Sequence, residues 1–134
     1  MTDEVGELVL VDNYRQNQAL SLMESMSAER IGSFTHFIQS LEAQGLLDRA
    51  IEFLPTDADL AERKAKGLGL TRPELSVLLS YDKIVIFNQL LESNVPEDPY
   101  LSKELKRYFP RPLQEEYADY MHSHRLRREI IATA

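Results

Sequence analysis

Apolar residues recur along this chain at the three- and four-residue spacing of an α-helix, and nowhere do they alternate with polar ones over a full strand length. The cleanest stripe is Ile31, Phe34, Ile38 and Leu41, widened by Phe37. It predicts a helix over 28–44, capped by Ser27 and closed by Gly45 in the left-handed conformation. Leu46 and Leu47 then pack back. Asp48 predicts a short helix through Phe53 and Leu54 that Pro55 stops. Thr56 or Asp57 caps a polar helix with acids at its start and Lys64 and Lys66 at its end, an order that the helix dipole favours. Gly67 closes it.

The densest apolar stretch follows. Thr71 is a good N-cap, Pro73 fits a first turn, and Glu74 stands three residues after Thr71, the spacing of a capping box. Leu75, Val77, Leu78, Leu79, Tyr81, Ile84, Val85, Ile86, Phe87, Leu90 and Leu91 cover more than one helix face. A helix over roughly 72–93 is therefore predicted at the centre of the fold, with others around it. Asn94 and Pro96 end it.

On its N-terminal side, Val5, Leu8, Val9 and Val11 suggest a first helical segment. Asp12 or Asn13 is placed to cap a second, with Tyr14, Ala19, Leu20, Leu22, Met23 and Met26 inward. Whether the two form one helix is open. On its C-terminal side, Asp98 and Pro99 open a helix to Phe109, and Pro112 opens a last long one. That helix carries Leu113, Tyr117, Tyr120 and Met121 inward, with a bend at His122–His124 and apolar spacing continued by Leu126, Ile130 and Ile131. Apolar residues are still arriving at 130–134 with no Gly, Asn or Pro stop, which predicts a longer helix cut through. The fold class expected is all-α: an irregular bundle of six or seven helices around the 72–93 helix, as one domain over 1–134.

Composition narrows the function. The chain has no cysteine, so thiolate and disulfide chemistry are excluded. No apolar run reaches membrane-span length, and the acidic start is not a signal peptide, so no membrane partner and a cytoplasmic setting are expected. The net charge of −7 is uneven. Residues 1–60 carry three Lys/Arg against eleven Asp/Glu, whereas 101–134 carry seven against five. An acidic body argues against nucleic acid.

Few residues offer chemistry. Gly67-Leu68-Gly69 precedes a helix, where free N–H groups can hold phosphate. A dinucleotide fingerprint needs a preceding strand and a third glycine, and Arg72 occupies that place, so a helix stop and a turn is the better reading. His122 and His124 lie about 200° apart on a helix and cannot share a metal there. His124, Arg125, Arg127 and Arg128 form a basic cluster. It suits an anionic metabolite or an interdomain contact, and a solvated face with Glu129 as internal partner explains it as well. Arg72 is expected to be exposed or to pair locally. Asp82, if buried, needs a partner. The tyrosines are expected as core rings with polar tips. No catalytic, cofactor-binding or metal residue is assigned.

Four stretches carry a resemblance. They are Asp-Asn-Tyr-Arg-Gln-Asn-Gln-Ala-Leu-Ser-Leu (12–22), Thr-Arg-Pro-Glu-Leu-x-Val-Leu-Leu-x-Tyr (71–81), Asp-Pro-Tyr-Leu-x-x-Glu-Leu-x-x-Tyr-Phe-Pro (98–110) and His-Arg-Leu-Arg-Arg-Glu-Ile-Ile-Ala-Thr (124–133). In order and together they resemble the helical region that follows the catalytic core in the large bacterial NAD-specific glutamate dehydrogenases. The resemblance implies a fragment of a much longer, homo-oligomeric enzyme. The parent would use NAD to oxidise L-glutamate, and the remaining domains would be the fragment's partners. The catalytic lysine and aspartate of that family lie in its core, and no stretch here matches their motif. The fragment is then expected to be inactive alone and to bind no cofactor, bracing the core or subunit contacts. The alternative is a stand-alone interaction or regulatory module that binds a partner or anionic metabolite at Arg125–Arg128.

Overall fold

The structure is a computed structural model that describes residues 2–133. Those residues form nine α-helices and two 3-10 turns, with no strand among them. The helices are α1 (Thr2–Met26), α2 (Ile31–Ala43), α3 (Arg49–Glu52), α4 (Asp57–Ala65), α5 (Arg72–Glu92), α6 (Ser102–Arg107), α7 (Arg111–Glu116), α8 (Ala118–Met121) and α9 (Arg127–Thr133). The all-α class follows from the spacing of the apolar residues. Contacts divide the chain into two compact units, Asn13–Tyr81 and a discontinuous one made of Met1–Asp12 with Asp82–Ala134.

In the 13–81 unit, α2 packs on α4. The stripe on α2 buries Ile31, Ile38 and Leu41, joined by Leu47, Leu54, Leu60, Leu70, Leu75 and Leu78. Stops and caps set the path. Gly45 (φ 70°) and Gly67 (φ 69°) both close helices in the left-handed region. In each case the next residue's N–H reaches back five positions, Leu46 to Leu41 O at 3.0 Å and Leu68 to Arg63 O at 2.8 Å. Asp48 caps α3, and Thr56 with Asp59 makes a complete capping box on α4. Ser27 departs from expectation. The chain turns through 27–30, and α2 starts at Ile31 behind Arg30, which makes no side-chain cap. The buried Ser27 hydroxyl instead accepts from Leu70 N–H and faces Leu70 C=O, tying together residues 43 apart.

In the other unit, Leu105, Met121 and Ile130 form the core, with Phe109 and Ile131 packed against it. The long helix expected after Pro112, with a bend at His122–His124, is three short ones, and the second break falls at that bend. Tyr117 breaks the first (φ −119°, ψ 21°), and a turn over 122–126 breaks the second. Bending here brings Met121 and Ile130 onto one side chain, Leu105, which a straight helix could not do. Tyr117 and Tyr120 accordingly face solvent, as do Tyr14, Tyr100 and Tyr108. Only Tyr81 fits the expected pattern, half-buried and donating to Glu52 at 3.0 Å.

Two long helices are less buried than the pattern suggested. α1 is one continuous helix with no buried residue. α5 buries only Leu75 and Leu78, while Ile84 and Ile86 are about half exposed. The short helices that follow pack on one another instead of sealing those outer positions. Asp82 is only partly buried, so solvent reaches its carboxylate.

Candidate functional site

The basic cluster at and just before α9 is the most chemically distinctive group among the described residues, and the structure splits it. Arg128 Nη1 donates to Glu97 Oε1 at 2.7 Å, and Nη2 donates to the carbonyls of Leu91 and Ser93, each at 2.8 Å. Those carbonyls belong to the open C-terminal end of α5, which has no basic residue of its own in its last turn. One guanidinium therefore supplies what the helix end lacks. Arg127 lies 3.6 Å from the same carboxylate. The internal partner is thus Glu97, not Glu129. Hydrogen bonding from Arg128, with Arg127 adding charge, holds Glu97 below the usual carboxylate range. Arg125 is exposed. His124 turns its Nδ1 to accept Leu126 N–H at 3.1 Å, and its ring meets Phe109 edge-on at 5.8 Å. An open cleft of about 270 Å³ lies beside the pair, lined by Glu97, Asp98, Ser102, His122, Arg127 and neighbouring apolar side chains. Its two carboxylates oppose an anion, and Arg127 shares Glu97 with the closer Arg128.

Thr71 and Glu74 form the expected capping box. Thr71 N–H donates to Glu74 Oε2 at 2.8 Å, and Glu74 N–H donates to Thr71 Oγ1 at 3.4 Å. Sequence spacing did not reveal the third member. Arg63, at the end of α4, grips the same carboxylate through Nη1 at 2.7 Å and Nη2 at 3.0 Å. The pair bridges two helices across a tight turn, and no local periodicity marks such a contact. Burial pushes the Glu74 carboxyl up, but Arg63 and the Thr71 N–H outweigh it and hold it below its ordinary value. Arg72 pairs neither locally nor with Glu74: it reaches Glu24 on α1 at 2.8 Å.

The lowered Glu74 value fixes a pH dependence. A carboxyl whose folded value is depressed adds stability above its ordinary value, 4.5, and loses it as pH falls through the folded one. Glu74→Gln is expected to cost about 1–2 kcal/mol at neutral pH, because it replaces a charged bidentate pair with a neutral one. The gap from wild type should narrow as pH falls below the ordinary carboxyl range and Glu74 takes up its proton in the folded state. Urea unfolding followed by circular dichroism at several pH values checks this, and a gap constant with pH would refute it.

The glycines before α5 do not make a cofactor cradle. Gly67 is spent on closing α4, and a Cβ on Gly69 would meet Ser27 Oγ at 2.3 Å. On its Cβ side Gly69 therefore faces the turn at Ser27 and Ala28. Among the described residues no three His, Asp or Glu side chains gather as a metal site requires. No described helix is long and apolar enough to cross a membrane.

Residues 67–134 match the family model described as glutamate dehydrogenase, C-terminal. Over 133 residues the chain is 54% identical to the NAD-specific glutamate dehydrogenase of Halomonas elongata and 53% identical to that of Pseudomonas aeruginosa. It is 36% identical to that of Mycobacterium tuberculosis. Each match takes in 99% of this chain and 8% of the relative, so the chain spans about a twelfth of the length of these curated proteins. Matched over half its length by that model, this helical chain belongs to the glutamate dehydrogenase C-terminal family.

Proposed function

We propose that this chain is a non-catalytic helical segment of an NAD-dependent glutamate dehydrogenase, bracing the catalytic core or the subunit contacts of a much longer, homo-oligomeric, cytoplasmic enzyme. The parent oxidatively deaminates L-glutamate to 2-oxoglutarate and ammonium, with hydride passing to NAD. The chain's own residues hold no step of that reaction. Their part is to present surfaces to the remaining domains.

The observation that carries this reading is α1. Val5, Leu8, Val9, Leu10, Val11 and Leu22 are all between 45% and 69% exposed on a helix that buries nothing. A helix of that composition gains its stability from packing an apolar face, and here the face is bare. The rest of the polypeptide, about eleven-twelfths of it in the relatives, is the natural cover.

The test uses the full-length protein carrying Leu8→Asp and Val11→Asp, three residues apart on one helix face. Heat inactivation is expected to be about ten-fold faster or more, as a buried contact is lost. The KM values for glutamate and NAD should not change. Unchanged heat inactivation together with an unchanged oligomeric state would refute the bracing role. Robust NAD reduction with glutamate by the 134-residue chain alone would refute the non-catalytic one.

A further inference from the structure

Phe53 is the most exposed large apolar residue described, at 89%, and it is the one non-glycine residue described with positive φ, at 55°. Both features work against the folded chain. A bare phenyl ring gains nothing from water, and a left-handed L-residue carries backbone strain. Ile51, two residues away, is 71% exposed. Strain of this kind persists where the surroundings enforce it, and here they do. Leu54 N–H donates to Arg49 O at 3.0 Å and fixes the turn around Phe53. Arg49 is itself clamped, donating to Glu42 at 2.8 Å, Asp57 at 2.9 Å and Pro55 O at 3.2 Å. Leu54 and Pro55, the next two residues, are buried. The result is a rigid pedestal that holds an aromatic side chain out into solvent. Rigid presentation removes most of the ordering cost of docking. The stretch 42–59 carries five carboxylates and one guanidinium, so a complementary surface is basic.

We propose that Phe53, with Ile51 beside it, is an anchor that inserts into an apolar socket with a basic rim on another part of the same full-length polypeptide. This rests on the reading of the chain as a segment of a longer protein, whose relatives place about eleven-twelfths of their length outside it. It names the residues that make one contact of the brace.

The test exploits opposite signs. Glycine relieves the left-handed strain, so Phe53→Gly stabilises the protein if the ring is idle, and destabilises it if the ring is seated. Thermal unfolding of the full-length protein is followed by circular dichroism, a readout independent of dehydrogenase activity and so of the reaction assigned to the parent. The expected result is faster unfolding of Phe53→Gly, by about ten-fold at a fixed temperature. Sedimentation should show the oligomer intact. Unfolding that is unchanged or slower overturns the anchor. Dissociation of the oligomer overturns the intrachain socket in favour of a second copy. Ile51→Ser serves as a second variant with no backbone effect at Phe53, and it should shift unfolding in the same direction.

Discussion

Gly69→Ala is expected to destabilise the chain by about 3 kcal/mol, although it adds a single methyl group. A Cβ there would stand 2.3 Å from Ser27 Oγ, 2.7 Å from Ser27 Cβ and 2.7 Å from the Ala28 backbone nitrogen. A flexible side-chain tip could swing away, but a backbone atom cannot. Relief requires the turn after α1 to part from the strand of chain leading into α5. That parting breaks the bond from Leu70 N–H to the Ser27 hydroxyl, which is buried and has no solvent to replace it. Overpacking and the lost bond add in the same direction. Gly67→Ala is the control. Its Cβ would meet nothing within 4 Å, so only the left-handed conformation (φ 69°) is penalised, by about 1 kcal/mol. Urea unfolding of both variants measures the difference. Equal losses would mean that close packing at Gly69 is not what the position demands.

Leu78→Ala is expected to cost about 3–4 kcal/mol, because Leu78 is 1% exposed and truncation leaves a cavity. Ile86→Ala on the same helix should cost under about 1 kcal/mol, because Ile86 is 46% exposed. The two substitutions separate a helix buried along its whole length from one buried only near its start. Comparable losses at both sites would restore the central helix that the apolar density of 72–93 suggests. In a full-length protein that covers the outer half of α5, the Ile86 loss grows while the Leu78 loss does not.

These two residues mark how far the sequence could be read. Helix type, the α2 stripe, the caps at Asp48 and Thr56, the box at Thr71 and the stops at Gly45 and Gly67 are all local, and each is set by residues within six positions. Burial on α5 is not local. Apolar density says that a face must be covered, but not whether this chain or another surface covers it. Ser27 has the chemistry of a cap, and only the fold reveals that its hydroxyl is claimed by a residue 43 positions away. The break at Tyr117 was equally hidden. The spacing through Leu113, Tyr117 and Met121 suits a helix, and the bend answers to Leu105, which lies outside that stretch. At the basic cluster, proximity in sequence suggested a joint anion site. The acceptors that engage Arg128 lie 31 to 37 residues upstream, beyond any reach of spacing.

The division into units carries a consequence for synthesis. Asn13–Tyr81 is one uninterrupted stretch, so all its partners have been made once Tyr81 clears the ribosome. The other unit needs both its first twelve residues and everything from Asp82 on. Its Glu4 meets Arg111, 107 positions later. At translation rates of about 5–20 residues per second, the N-terminal half of α1 waits roughly 3–10 s for partners after the inserted unit is complete. Leu8, Val9 and Leu10 stay half or more exposed even after those partners arrive, so on a nascent chain they are apolar surface throughout. The helix proposed to grip the finished enzyme is, while the chain is being made, the stretch with most need of a chaperone.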